Sequence, residues 1–177
     1  SRLGIGDYQN YLAFSLGAGD TTVLKMVDAY GALFDHGVQH PASVIDYVQD
    51  RHGKVIWRSH PRDCTGCNMP EWDGKPMPRL ADNGKPVLDP RTAYQVVHMM
   101  EGVVQRGTAV RVRALGLPLA GKTGTTSGPT NVWFIGGSPD IIAGGYVGFD
   151  HPRNLGGYYQ GANLAAPIFI NFVKATR

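Results

Sequence analysis

The chain has 177 residues, 42% of them hydrophobic and 18% charged, a globular composition that excludes disorder and suits one domain. Its net charge is +3, with the basic residues scattered rather than gathered on one stripe, which argues against a nucleic-acid partner. Gly and Pro number 24 and 12, so many turns and short connections are expected, and no apolar run approaches the roughly 20 residues that a bilayer span needs.

Beginning at Ser1-Arg2-Leu3-Gly4 and stopping at Ala175-Thr176-Arg177 within a helical pattern, the sequence reads as a piece of a longer protein. Asp20-Thr21-Thr22 precede apolar residues at Val23, Met26, Val27, Tyr30, Leu33 and Phe34, which is helical spacing behind a capping residue, with Gly37 after it. Val44–Val48 and Lys54–Arg58 are short β-rich runs that predict a hairpin. Residues 59–88 are polar and rich in Pro, Gly and Asp, and read as an irregular insertion rather than a separate domain. Asp89-Pro90 then opens the clearest helix, Asp at the N-cap and Pro at the first helical position. Ala93, Val96, Val97, Met100, Val103 and Val104 form its buried stripe, and Gly107 ends it. Three strands follow, at Leu119–Thr126, Asn131–Gly136 and Ile141–Phe149, the last two joined by a turn at Gly137-Ser138-Pro139-Asp140. Pro167 opens a final helix with Leu164, Ile168, Phe172 and Val173 on one face. Helices, an antiparallel meander and a closing helix make α+β order.

Gly116-Leu117-Pro118-Leu119-Ala120-Gly121-Lys122-Thr123 matches the phosphate-loop pattern G-x-x-x-x-G-K-[ST]. That chemistry needs a helix N-terminus directly after the lysine. Here Gly124-Thr125-Thr126-Ser127-Gly128-Pro129 follows and cannot propagate one, and Pro118 removes a donor from the cradle. Nucleotide binding is therefore the remote alternative. Taken instead as a strand, residues 120–126 place Lys122 and Gly124 on one face and Thr123 and Thr125 on the other. A lysine, two hydroxyls and an uncovered N–H along one strand suit a carboxylate and a developing oxyanion. Gly124 would let a substrate backbone lie close.

The surroundings of this Lys-Thr-Gly carry a resemblance. Ser15-Leu16-Gly17-Ala18-Gly19-Asp20-Thr21-Thr22, Asp89-Pro90-Arg91-Thr92-Ala93-Tyr94-Gln95, Glu101-Gly102-Val103-Val104-Gln105-Arg106-Gly107-Thr108, Trp133-Phe134, Ser138-Pro139-Asp140, Gly148-Phe149-Asp150 and Ala165-Ala166-Pro167-Ile168-Phe169 are involved. Together they resemble the C-terminal part of the transpeptidase domain of class A (bifunctional) penicillin-binding proteins, the type-1A branch in particular, nearly end to end over residues 1–177. The resemblance implies a β-lactamase/transpeptidase-like α+β fold with an antiparallel sheet flanked by helices, serine acyl transfer in peptidoglycan cross-linking, and no cofactor or metal. It implies Lys122 in the polar network beside the nucleophile, and Thr123 and Thr125 on the terminal carboxylate of a D-Ala-D-Ala stem peptide or a β-lactam. Gly124 would line the substrate, and the Thr125 N–H would be half of an oxyanion hole. It further implies an upstream glycosyltransferase domain, an upstream membrane anchor and the periplasmic face of a bacterial inner membrane.

The sequence also departs from the family. No serine has a lysine three positions on, and none starts S-x-N. Tyr8-Gln9-Asn10 has the Y-x-N form, but it follows Arg2-Leu3-Gly4-Ile5, which in the family lies beyond the central motif, so it reads as structural. The nucleophile is therefore expected upstream of Ser1, and the isolated chain is expected to be inactive. Asn131-Val132-Trp133-Phe134 stands where the family usually has an aspartate before Ala-Trp-Phe, and Ala109 follows Thr108 where glycine is usual. A catalytically silent interaction module of the same fold is the leading alternative.

Cys64-Thr65-Gly66-Cys67 is a C-x-x-C in a Pro/Gly-rich stretch, open to disulfide, free-thiol and zinc readings; the oxidising compartment that the resemblance implies favours a local disulfide. The histidines, at 36, 40, 52, 60, 98 and 151, show no ligand spacing. Trp133 and Phe134 read as core residues rather than substrate-stacking ones.

Overall fold

The computed structural model describes residues 2–59, 67, 69–78 and 83–176. The chain divides into two compact units, one made of Ser1–His40 with Lys85–Arg177 and the other of Pro41–Gly84.

In the larger unit, helix α1 spans Val23–Phe34 and starts where the sequence signals it: the Thr22 hydroxyl accepts the Lys25 N–H at 3.2 Å. The segment before it is tied down by side chain to main chain bonds, the single Tyr8 hydroxyl hydrogen lying within reach of the carbonyls of both Ile5 and Asp20, and Thr21 Oγ1 donating to the Ile5 carbonyl at 2.8 Å. Tyr8 also stacks on Phe14 at 4.9 Å. It serves the fold there, as the sequence suggests. Strand β1, Val38–Gln39, pairs antiparallel with β4, Lys85–Pro86. These two-residue strands were not foreseen, and they place residues 85–88 in the larger unit. In the smaller unit, β2 (Tyr47–Gln49) and β3 (Val55–Arg58) form the expected hairpin. Its first strand begins at Tyr47 rather than Val44 and runs into Gln49, because the Asp50 carboxylate closes the turn on the N–H groups of His52 and Lys54.

Helix α2 covers Pro90–Arg106. Asp89 caps it by accepting the Arg91 N–H at 2.9 Å, and the Arg91 side chain, with that N–H, holds the Asp89 carboxyl below the ordinary carboxylate range. Ala93, Met100 and Val104 are its buried stripe. After Gly107 the chain makes a 3₁₀ turn at Val110–Leu115 and enters a three-stranded antiparallel sheet: β5 Ala120–Thr125, β6 Asn131–Gly137 and β7 Ile142–Gly148, in that spatial order. The register pairs Thr123 with Phe134 and Phe134 with Gly145, so these share one face; Lys122, Ile135 and Gly144 share the other.

Helix α3, Ala166–Ala175, follows a π turn at Gly161–Ala165 and packs on the Phe134 face. The Phe134 and Phe169 rings meet edge to face at 4.9 Å, and both are fully buried with Val132, Leu119 and Val173. An aromatic pair of this kind adds about 0.5–1.5 kcal/mol beyond its area burial. The apolar face of the last helix is only partly the face it buries. Phe169 and Val173 point inward, whereas Ile168 and Phe172 are 45% and 48% exposed. A helical wheel shows a wide apolar arc and cannot say which part of it the sheet covers. Those two side chains instead border an apolar cleft beside β7, together with Val23, Val27 and Ile142. On the opposite face of the sheet, Gly144 leaves room for Val23 and Val27 of α1. The result is α+β, an antiparallel sheet flanked by helices.

Candidate active site

The chemistry-bearing strand is β5, an edge strand among the described residues. Its hydrogen-bond phase follows from the Thr126 N–H, which donates to the Asn131 carbonyl at 3.1 Å. In an antiparallel ladder every second residue bonds to the neighbouring strand. Gly124 and Lys122 therefore bond to β6, and Thr123 and Thr125 turn their N–H and C=O groups toward the open edge. The end of β5 is held by Thr126, whose Oγ1 accepts the N–H groups of Thr130 and Asn131 at 3.1 and 3.0 Å.

Side chains from both faces converge at that edge. Lys122 Nζ bends round the strand and donates to the Thr123 carbonyl at 2.6 Å. The Thr123 hydroxyl is 2.7 Å from the Thr108 hydroxyl, in the turn after α2. Thr125 Oγ1 accepts the Gly161 N–H at 3.1 Å. These residues, with Gln160 and Ala162, line a recess of about 320 Å³. Its lining holds one ammonium and three hydroxyls, and none of the seven lining residues is acidic. Such a set of donors and positive charge recognises an anion. Alternation alone sets Lys122 opposite the two threonines; at an edge strand a long side chain reaches round, so the recess contains all three.

Lys122, Thr123 and Thr125, read from the sequence as candidates, are thus brought together, and Gly124 lies between them with Trp133 as its cross-strand partner. Thr108, Gln160, Gly161 and Ala162 were not expected there. Gly161 stands 36 positions from Thr125, and no local pattern links them. Its main chain lies flat on the sheet: a Cβ at this position would sit 2.3 Å from the Trp133 carbonyl oxygen and 2.8 Å from that of Gly124, so only glycine fits. The two departures from the expected sequence both have structural roles. The Ala109 methyl is buried at 1% exposure, and Asn131 Oδ1 accepts the Tyr146 hydroxyl at 2.8 Å. Phe134 is a core residue, and Trp133 is half-buried against Tyr146, ring centroids 4.7 Å apart.

Lys122 and Thr123 lie inside a strand, not at a helix N-terminus, which removes the geometry a phosphate loop requires. Among the described residues no group of three or more His, Cys, Asp or Glu gathers as a metal site. His40 pairs with Asp35 and His98 with Glu101, while His60 lies outside the described residues. Cys67 is disulfide-bonded; Cys64, the chain's other cysteine, lies outside the described residues.

Comparison with known proteins agrees with this architecture. The family described as "Penicillin binding protein transpeptidase domain" matches residues 7–174. The chain is 38% identical over 176 residues to penicillin-binding protein 1A of Rickettsia bellii, covering 98% of the chain and 22% of that relative. Among solved structures it is similar to penicillin-binding protein 1A from Haemophilus influenzae, with TM-score 0.81, 24% identity, 99% of this chain and 29% of that one covered. PonA1 from Mycobacterium tuberculosis in complex with penicillin V matches with TM-score 0.72 and 20% identity, over 99% of this chain and 47% of that one. The fold is that of the penicillin-binding transpeptidases, and the chain belongs to the penicillin-binding protein transpeptidase family. It spans about a fifth of the length of the curated relatives it matches, and these are type-1A proteins, the branch that the sequence resembles.

Proposed function

We propose that the chain forms the Lys-Thr-Gly wall of a serine D,D-transpeptidase that cross-links peptidoglycan. The observation that carries this reading is the open edge of β5, where the outward N–H of Thr125 and the hydroxyls of Thr123 and Thr125 line one recess with Lys122. Thr123 and Thr125 bind the terminal carboxylate of a D-Ala-D-Ala stem peptide or of a β-lactam. Gly124 leaves the strand open to a substrate backbone, and the Thr125 N–H supplies half of an oxyanion hole. Lys122 joins the polar network around the nucleophile. The reaction is acyl transfer: a serine oxygen attacks the penultimate D-alanine carbonyl, the C–N bond breaks and D-alanine leaves. An amine of a second stem peptide then displaces the serine and takes the acyl group.

Covalent catalysis needs a serine with an activating base, and no serine here has a lysine three positions on. The nucleophile and central motif therefore come from outside these 177 residues. The resemblance adds to this reading an upstream glycosyltransferase domain and membrane anchor. The work is placed at the periplasmic face of a bacterial inner membrane. No helix among the described residues is long and apolar enough to cross a membrane. That compartment is oxidising, and Cys64 and Cys67 form a local disulfide in it.

The test is acylation of the full-length protein by penicillin, followed by intact mass. Replacing Thr123 and Thr125 by Val removes two hydrogen bonds to a charged group, each worth about 1.5–3 kcal/mol, so labelling slows by roughly a hundredfold or more. Unchanged rates remove both residues from the site. The 177-residue chain alone takes no label; a stoichiometric adduct on it would place the nucleophile inside. A full-length protein that takes no label would leave the silent interaction module as the better reading.

A further inference from the structure

The two hydroxyls of β5 are each met from behind by a group on another element. For Thr125 it is the Gly161 N–H, which can only donate. Thr125 Oγ1 accepts that bond and keeps its own hydrogen to give. Thr123 meets a second hydroxyl, that of Thr108, at 2.7 Å, and either oxygen can be the donor there. A hydroxyl has one hydrogen and two lone pairs. If Thr123 donates to Thr108, it faces the recess with lone pairs and repels an anion. If Thr108 donates to Thr123, both threonines of β5 present hydrogens to the recess.

We infer that Thr108 is a positioning residue, which donates to Thr123 Oγ1 so that Thr123 and Thr125 together offer two O–H donors to an anionic substrate group. This rests on the carboxylate reading of Thr123 given above. Thr108 is well placed to hold such a polarity. It sits between two anchors, since the N–H groups of Gly107 and Ala109 both donate to the Val103 carbonyl at 3.1 Å. Gly107 allows that tight exit from α2: a Cβ there would lie 2.8 Å from Val103 Cα. The Ala109 side chain is buried in the core. The hydroxyl of Thr108 is thereby fixed relative to β5 by the end of α2 and by the core beneath it. An anion arriving in the recess selects the orientation in which Thr123 donates, and Thr108 supplies the compensating bond without leaving a donor unpaired. Local sequence gives no sign of this pairing, because the two threonines stand 15 positions apart on different elements.

The experiment compares Thr108→Val, Thr108→Ser, Thr123→Val and the double variant Thr108→Val/Thr123→Val in the full-length protein. The probes are a penicillin with its free carboxylate and the methyl ester of the same penicillin, and the readout is the second-order acylation rate by intact mass. Thr108→Val slows the free penicillin by about threefold to fivefold, the size of one lost bond between two neutral hydroxyls, and does not slow the ester. Thr108→Ser restores the rate, and in the Thr123→Val background Thr108→Val adds nothing. Equal slowing of ester and acid, failure of Ser to rescue, or additivity with Thr123→Val would each overturn the inference. So would a wild-type rate in Thr108→Val. If Thr123→Val itself has no effect, the carboxylate reading falls and this one with it, a result distinct from loss of the Thr108 effect alone. Should Thr108→Val fail to fold, Thr108→Ala takes its place in the same comparison.

Discussion

On the α3 face of the β5–β7 sheet, Val132 and Phe134 are completely covered, whereas on the α1 face Ile135 is buried but Trp133 is only partly buried and Tyr146 is 40% exposed. The covered face carries the side chains that fix where the strands lie. Thr123 and Thr125 belong to that face, and each is bonded to a group on a neighbouring element. Lys122 belongs to the half-open one, and its ammonium reaches the carbonyl of the next residue. Position is thus set on one side of the strand and charge is delivered from the other. An edge strand lets both meet in a single recess.

That comparison can be broken most decisively at Phe134. Phe134→Ala removes a fully buried ring from the closed face, and unfolding in urea should show a loss of about 3–5 kcal/mol. A loss below about 1 kcal/mol would mean that the α3 face does not hold the sheet. The helix on the half-open side is tested by Thr22→Ala, which deletes the N-cap bond to Lys25 and should cost about 1 kcal/mol in the same measurement. An effect as large as that of Phe134→Ala would show the two faces to be equivalent. Smallest of the three is Tyr146→Phe, which removes the exposed hydroxyl bond to Asn131 and should cost less than about 1 kcal/mol. A larger loss would mean that the Trp133–Tyr146 pair is bound into the core rather than perched on it.

The elements legible in the sequence are those with local signals. Thr22 and Asp89 mark α1 and α2 through caps, and Pro90 and Gly107 bracket the second helix. Alternation and the Gly137–Asp140 turn give the three strands to within a residue or two. Strands β1 and β4 were invisible because two residues carry no period, and Lys85-Pro86 has no strand propensity of its own. The 3₁₀ turns at Leu12–Leu16 and Val110–Leu115 are too short to be periodic. The buried side of α3 could not be read because Ile168, Phe169, Phe172 and Val173 make an arc wider than the sheet can cover. At the recess, Lys122, Thr123 and Thr125 were legible as neighbours on one strand. Thr108 and Gly161 were not, since chain separation hides any contact that the fold alone creates.

The outward N–H at position 125 has a consequence for inheritance. Hydroxyls at 123 and 125 can each be deleted by changing one codon, but every amino acid except proline supplies the same main-chain donor at 125. Short of Thr125→Pro, heritable change in that donor comes from displacement of β5 as a whole. Gly161 is one position where a single codon could do so, because one added methyl group would meet the Trp133 carbonyl at 2.3 Å and push the strands from above.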